Sequence, residues 1–522
     1  MSFSALFRGI ALHSVRQGPA TESLSLTGSL LQGKVLGSSE KALPIYIPSS
    51  GEILGKMIPA DKALVDKAVS QAEEAFETYY EGEEAGMERR SELLESLAQG
   101  IAKEAKFLAQ VESINGGKPQ AEADAEIQEV VRVFRYFSAL ASQLPETHHS
   151  PSPLVSQKIL REPRGVCALI IPFNYPLMLA AWKVAPALAC GNAVVLKPAL
   201  ETPLTALHLG RICAETGLAP PGLLSVLPGG GRVGEWLVEH RAIRHVSFTG
   251  SSRSGQQVAL ACHARENRLI RPTLELGGKN TLVVDEGMER RMEEVAKSIV
   301  DAAFGNAGQN CCAASRLLVH KSLHGPLLSC IQALIRDLRM GVGPEAQMGP
   351  MISAQAMERA EHVVQMARDG QGKPGGCGEV VQGGMMEEKG EEEEGYRTSG
   401  YYLPPTLVLD VPDTHDLAIK EHFAPILASL QPFTNLDEAI RRVNATGGSI
   451  ASGIWTSNSD RAHRFTRAVR AGTVWVNGYN LTYPWMPFGG AGGSSGYGRD
   501  LGVEAIHEFS STKAITHYHS SC

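Results

Sequence analysis

Long uninterrupted hydrophobic runs are missing from this 522-residue chain. The most apolar stretch, Val166 to Leu196, is broken by Asn174, Lys183 and Asn192 and by Pro172, Pro176 and Pro186. A membrane-spanning helix needs about 20 mainly apolar residues with few or no charges. The stretch therefore reads as buried strand, loop, helix and strand, and no membrane partner is expected. A surplus of positive charge is also missing: the net charge is −7, so composition offers nothing to a nucleic acid. Cysteine is scarce; the nine present are odd in number, scattered, and form no Cys-x-x-Cys pair. That excludes a small disulfide-stapled secreted domain and suits reduced thiols in an intracellular protein. His320 and His324 make one His-x-x-x-His, but Lys321 stands where a zinc-protease helix carries glutamate. No paired cysteines complete a four-ligand set, and no metal site is expected.

What is present is enough chain for about three domain-sized units at roughly 150 residues each. From Pro44 "PIYIPSSGEILGKMIP" alternates like a strand around a Ser-Ser-Gly turn. Leu64, Ala68, Ala72 and Phe76, spaced by four, predict an amphipathic helix with Asp61 as N-cap. One longer helical region runs from Gly86 towards Ile114 and stops at "NGGKP", and another helix covers about Glu122 to Gln143. From Gly165 the rhythm changes. "GVCALIIP", "NAVVLKP", "GLLSVLPG", "HVSFTG" and "TLVVD" read as strands, with helices "LMLAAWKVAPALACG" and "PLTALHLGRICAETG" between the first three. This is the α/β pattern of a parallel, doubly wound sheet, whose ligands bind at the carboxyl ends of the strands.

Several motifs sit at such ends. "FTGSSRSG" brings Gly250, Ser251 and Gly255 to a strand-to-helix turn suited to phosphate, although it lacks the usual Gly-x-Gly-x-x-Gly; an ordinary βα turn reads the same way. Lys197 ends "VVLK" and would donate to ribose or phosphate; otherwise it is a surface lysine. Glu275 in "LELGGKN" lies beside glycines that let a ligand approach, and a carboxylate in a partly dry place suits a general base. "GQNCC" sets Cys311 beside Cys312. A thiolate is a strong nucleophile, but most cysteines are inert core residues, and the residues alone do not choose between the two.

Taken together and in order, "PFNYPLMLAAWKVAPALACGNAVVLKP", "SFTGSSRSG", "LELGGKN", "GQNC", "EHFAP" and "PFGG…SGYGRDLG" resemble the NAD(P)-dependent aldehyde dehydrogenase superfamily from about Pro44 to Thr516. The resemblance implies an aldehyde dehydrogenase-like fold: a Rossmann-type cofactor domain at 36–146 and 164–274, a catalytic domain at 275–472, and a β oligomerisation arm from 147–163 with the C-terminal segment 473–522. It implies Cys311 as nucleophile, Asn174 as donor to the oxyanion and Glu275 as the base that activates water, giving a carboxylic acid by way of a thioester. It implies Lys197, Gly250, Ser251, Gly255, Glu421 and Phe423 as binding residues for NAD, and a homodimer or homotetramer. Rival readings are a semialdehyde dehydrogenase specialised for one intermediate and a non-catalytic protein that keeps the fold.

Two departures from the family pattern matter. Leu200 replaces a glutamate common in NAD-preferring members, which makes NADP tolerable, and Ala424 replaces the glycine of "EIFGP". "GMERRSELL", "INGGKP" and "FNYPL" look closest to the betaine-aldehyde and aminoaldehyde branch, in which Tyr175, Trp182 and Trp485 would line the pocket for the small-molecule aldehyde; an ordinary apolar tunnel is the alternative. Residues 1–35 carry Arg8, Arg16, Lys34 and six serines against the single acid Glu22, as a mitochondrial transit peptide does; a plain tail on a cytoplasmic protein is the other reading. The acidic block at 387–395 reads as an exposed insertion.

Overall fold

A computed structural model describes residues 42–79, 83–143, 147–264, 269–386, 400–447 and 449–519, with short strands at 13–14, 25–27, 29–31 and 34–36. The acidic block and most of residues 1–35 lie outside the described residues.

The chain enters through a hairpin, β1 (Leu43–Tyr46) and β2 (Ile53–Met57). Helix α1 (Lys62–Tyr79) follows, and Asp61 accepts from Leu64 N at 2.8 Å as its cap. The single long helix expected next is two, α2 (Glu83–Lys103) and α3 (Ala105–Gly116). They part at Glu104, whose carboxylate is held by His208 and Arg211. Gly117, at φ 80°, ends α3 in the left-handed cap that glycine permits. Helix α4 (Gln120–Ala141) leads to β3 (Thr147–Ser152) and β4 (Val155–Pro163).

The first large sheet uses β5 (Val166–Ile170), α5 (Pro176–Ala189), β6 (Ala193–Lys197), α6 (Leu204–Glu215), β7 (Leu224–Val226), α7 (Gly231–Glu239), β8 (Ile243–Thr249), α8 (Ser252–His263) and β9 (Thr273–Glu275). Its parallel centre has the order β9-β8-β5-β6-β7. Every residue of β5 and β6 is buried, which is why these strands read as continuous apolar runs rather than alternating ones. The order reverses between β5 and β8, so a crevice opens beyond their carboxyl ends.

The second sheet uses β10 (Thr281–Val284), α9 (Met292–Phe304), β11 (Arg316–Val319), α10 (His324–Arg336), α11 (Ala354–Gly370), β12 (Val380–Gln382), β13 (Thr406–Val411), β14 (Ile426–Leu430), α12 (Leu436–Asn444), β15 (Ser449–Trp455), α13 (Ser459–Ala468) and β16 (Ala471–Val476). Its order is β12-β13-β14-β11-β10-β15-β16, all parallel except the β12–β13 edge. The chain ends with β17 (Gly496–Tyr497), α14 (Gly502–Phe509) and β18 (Ser510–Tyr518).

Strand β18 pairs with β4, from Ser510 opposite Pro163 to Tyr518 opposite Val155, and β3 lies on β4's other side. The segment from 473 onward is not one arm, however. β16 completes the second sheet, β17 pairs antiparallel with β9 in the first, and only β18 joins β3 and β4. The reason is physical: β17 covers the backbone edge of β9, which would otherwise stand open beside the site.

Candidate active site

The crevice predicted by the sheet order is where the chemistry-bearing residues meet. A cavity of about 310 Å³ is lined by Asn174, Thr249, Gly250, Ser251, Glu275, Gly277, Gln309, Cys311, Glu421 and Phe423, with Phe173, Met351 and Arg359 among the remaining walls. Asn174 comes from the loop after β5. Tyr175 and Pro176 then start α5, proline at the first helical position being favoured because its missing N–H is not needed there. Asn174 Nδ2 donates to the Gln309 carbonyl at 3.0 Å, leaving its second hydrogen free.

Cys311 reaches the cavity by an unusual turn. After α9, Asn306, Ala307 and Gly308 all take positive φ, 50°, 53° and 67°, where a non-glycine residue pays about 1–2 kcal/mol. Hydrogen bonds hold the turn. Glu122 accepts from Asn306 N at 3.2 Å, Gln309 Nε2 donates to the Asn306 carbonyl at 3.1 Å, and Gln309 Oε1 accepts from Ile352 N at 2.9 Å. A Cβ on Gly308 would overlap the Ala424 carbonyl. We expect Gly308→Ala to cost about 2–4 kcal/mol, the sum of overpacking and left-handed strain, read as a lowered urea midpoint.

Of the two adjacent cysteines, Cys311 opens on the cavity, while Cys312 is buried with its Sγ near Asn310 Oδ1 (3.2 Å) and Asn480 Oδ1 (3.3 Å). The Cys312 side-chain hydrogen bond, then burial, then the nearby carboxylates hold the Cys311 thiol well above its ordinary range. Glu275 ends β9 and is buried. Burial, then the Asp500 carboxylate, push its carboxyl well up, while Lys183 and Arg499 pull it down. Lys183 and Asp500 form a buried pair at 2.8 Å, and Lys183 also donates to Ser247 Oγ at 3.0 Å. The sequence reading missed this pair; the signal was a lysine inside the most apolar stretch of the chain.

Along the cavity, Glu421 Oε1 accepts from Gly278 N at 3.3 Å, and desolvation pushes its carboxyl up to about 7. Gly277 has no room for a Cβ, which would overlap Glu421 Oε2. Phe423 sits at φ 53° with its ring edge-on to Phe173, centroids 5.9 Å apart. Gly250 N donates to the Glu275 carbonyl at 3.1 Å, and Ser251 caps α8 by accepting from Ser254 N at 3.2 Å. Lys197 Nζ donates to the Pro198 and Gly229 carbonyls at 2.8 and 2.6 Å; with no carboxylate bonded to it, burial brings the ammonium down to about 8.

Two groups of expectations need correction. Gly255 is explained by packing, because a Cβ there would overlap Leu276; it lets α8 approach the sheet and does not line the cavity. Nor do Tyr175, Trp182 and Trp485 line this cavity. Trp182 is buried against Phe488, centroids 5.1 Å apart, and Trp485 is 56% exposed and stacked on Tyr483. Tyr175 donates its hydroxyl to Glu122 at 3.3 Å.

A site of this construction has known relatives. The profile of the aldehyde dehydrogenase family matches residues 35–515. A mitochondrial aldehyde dehydrogenase of Leishmania tarentolae is 35% identical over 491 residues, covering 93% of this chain and 94% of that protein. Human retinal dehydrogenase 2 is 34% identical over 489 residues, 92% of this chain and 89% of that one. Among solved structures, PnpE of Pseudomonas sp. WBC-3 in complex with nicotinamide adenine dinucleotide superposes with a TM-score of 0.87 at 32% identity, covering 95% of this chain and 98% of that one. With a match that spans nearly its whole length, this chain belongs to the aldehyde dehydrogenase family.

Proposed function

We propose that this protein oxidises an aldehyde to the carboxylic acid with NAD as hydride acceptor, through an acyl-thioester on Cys311. The observation that carries this is the convergence of Cys311, Asn174 and Glu275, from three separate stretches of chain, on one cavity.

The cavity suits the cofactor. Asn174 Oδ1 and Thr249 Oγ1 are buried polar atoms without a hydrogen-bond partner among the described residues, and such atoms call for a ligand or water. Gly250 and Gly277 line the wall between Thr249 and Glu421 without side chains. The first turn of α8 offers backbone N–H groups to a pyrophosphate, Lys197 a cation to the adenosine ribose, and Glu421 a carboxylate to the nicotinamide ribose. NAD, when bound, supplies the acceptor for the hydride.

The chain's own residues do the rest. Cys311 gives up its thiol proton to water, and its Sγ attacks the carbonyl carbon. The oxygen that gains charge accepts the free hydrogen of Asn174 Nδ2 and the Cys311 backbone N–H, donors whose individual loss typically costs about 10²–10³ in rate. Glu275 takes a proton from the water that opens the thioester, and the acid leaves. Leu200 stands three residues after Lys197, where the family resemblance puts a carboxylate that would repel a 2′-phosphate, so NADP is the second cofactor to test.

The test is growth of reduced-cofactor absorbance with NAD and NADP separately, against hexanal, benzaldehyde, betaine aldehyde and an aminoaldehyde. Activity with NAD in the wild type, absent in Cys311→Ala, is expected. A folded wild type that binds NAD and reduces it with none of them would count against the reading. Gly277→Ala should raise KM for NAD about tenfold or more, since the new methyl forces Glu421 aside and each 1.4 kcal/mol of lost contact is tenfold.

A dimer or tetramer built through β3, β4 and β18 fits the exposed apolar side chains Leu154, Ile159 and Tyr518 on that sheet, and sedimentation would measure it. No described helix is long and apolar enough to cross a membrane. A mitochondrial address would be carried by residues 1–35; fusing them to a fluorescent protein tests this against a cytoplasmic one.

A further inference from the structure

Directly behind the Asn174 backbone lies a buried ion cluster that no step above uses. Lys118, on the loop between α3 and α4, has no exposed side-chain surface. Its Nζ pairs with Glu126 of α4, donates to the Asn174 carbonyl at 3.1 Å and lies 4.5 Å from the Tyr175 ring centroid. Asn306 Nδ2 donates to the same carbonyl at 2.9 Å. Three carboxylates take up the neighbouring donors. Glu112 accepts from Leu177 N at 3.0 Å and Thr205 Oγ1 at 2.7 Å; Glu126 accepts from Met178 N at 3.4 Å; Glu122 accepts from Asn306 N and the Tyr175 hydroxyl.

Leu177 and Met178 open α5, so their N–H groups are among those a helix cannot satisfy from within, and carboxylates are favoured at that end. The cluster thus clamps both sides of the corner that carries Asn174, and through Glu122 it reaches the left-handed turn that carries Cys311. A buried ion pair is weak ground for stability, because desolvation offsets most of the attraction. Its geometric effect is strong, because Lys118 and Asn306 bond the Asn174 carbonyl, and Glu112, Glu126 and Glu122 bond the Leu177, Met178 and Asn306 main-chain N–H groups.

We propose that Lys118, paired with Glu126, is a positioning residue for the oxyanion hole, pinning the Asn174 main chain so that the side-chain amide presents its free hydrogen beside Cys311. This rests on the reading of Cys311 and Asn174 given above. A displacement of about 1 Å at such a donor can cost 10²-fold in rate.

Two variants test it. Lys118→Met/Glu126→Gln removes the two charges of the pair together, while Glu112 and Glu122 keep their own hydrogen-bond donors. Asn306→Gly keeps the left-handed backbone and deletes the second donor to the Asn174 carbonyl. Three assays are read: NAD-dependent aldehyde oxidation, hydrolysis of 4-nitrophenyl acetate without NAD, and alkylation of Cys311 by iodoacetamide, which develops no oxyanion. In the double variant, kcat and ester hydrolysis should fall about 10- to 100-fold, with a smaller fall in Asn306→Gly. The Kd for NAD and the alkylation rate should stay within about twofold, and either change should cost little further in an Asn174→Ala background, as expected of groups acting through one another.

Unchanged ester hydrolysis, alkylation that falls in step with it, or full additivity with Asn174→Ala would overturn the proposal. If the double variant does not fold, Glu126→Gln alone, which keeps the side-chain size and removes the partner that holds Lys118, decides by the same criteria. A wild type alkylated at Cys311 yet inert toward both ester and aldehyde would instead overturn the catalytic reading itself.

Discussion

Cys311→Ala should abolish aldehyde oxidation, by about 10⁴-fold or more, since Cys311 is the only thiol among the described residues that line the cavity. The same change should abolish ester hydrolysis. Cys312→Ala is the informative partner. Its thiol is buried and does not line the cavity, so turnover should persist. The neighbouring Cys312 side chain is the first cause holding the Cys311 thiol up, so its removal should bring the Cys311 titration to lower pH. Iodoacetamide alkylation followed against pH measures this: the profile should move to lower pH in Cys312→Ala and vanish in Cys311→Ala. Alkylation that survives in Cys311→Ala at the wild-type rate would assign the reactive thiol elsewhere.

Glu275→Gln should leave the first half of the reaction standing and stop the second. The amide keeps the size of the side chain but cannot take a proton from water. One equivalent of reduced cofactor should form rapidly per active site, followed by turnover slowed about 10²–10⁴-fold, the range of a general base. In the wild type, burial and the Asp500 carboxylate hold the Glu275 carboxyl well above the ordinary carboxylate range. Below that raised value it is protonated and cannot act, so thioester hydrolysis should rise with pH and level off only once Glu275 has ionised. Rapid-mixing measurements across pH, with burst and steady state separated, check both points. A burst lost together with the steady state would place Glu275 in acylation instead.

The alternation of strand and helix after Gly165 was legible because fully buried parallel strands such as Val166–Ile170 and Ala193–Lys197 are unbroken apolar runs between helical patterns. The cap at Asp61 and the stop at Gly117 were legible because each is a local backbone requirement. The break between α2 and α3 was not, because it sits where Glu104 meets His208 and Arg211 from a helix about a hundred residues away. The expected aromatic lining failed for a related reason. Trp182 lies two turns of helix beyond Tyr175, and the rotation of α5 against its neighbours turns the indole to Phe488. Lys118 went unnoticed inside "NGGKP", where the glycines explain a helix stop and nothing local marks a buried cation.

By itself the sequence determined the order of elements and the short motifs that place a cysteine, a glutamate and an asparagine in this family, because periodicity, caps and turn chemistry act over a few residues. Only the tertiary structure decided that Lys183 and Asp500 stand behind Glu275 and that Lys118 and Asn306 share the Asn174 carbonyl. Those facts depend on desolvation and on hydrogen bonds between segments far apart in the chain, and both exist only once the two sheets have packed together.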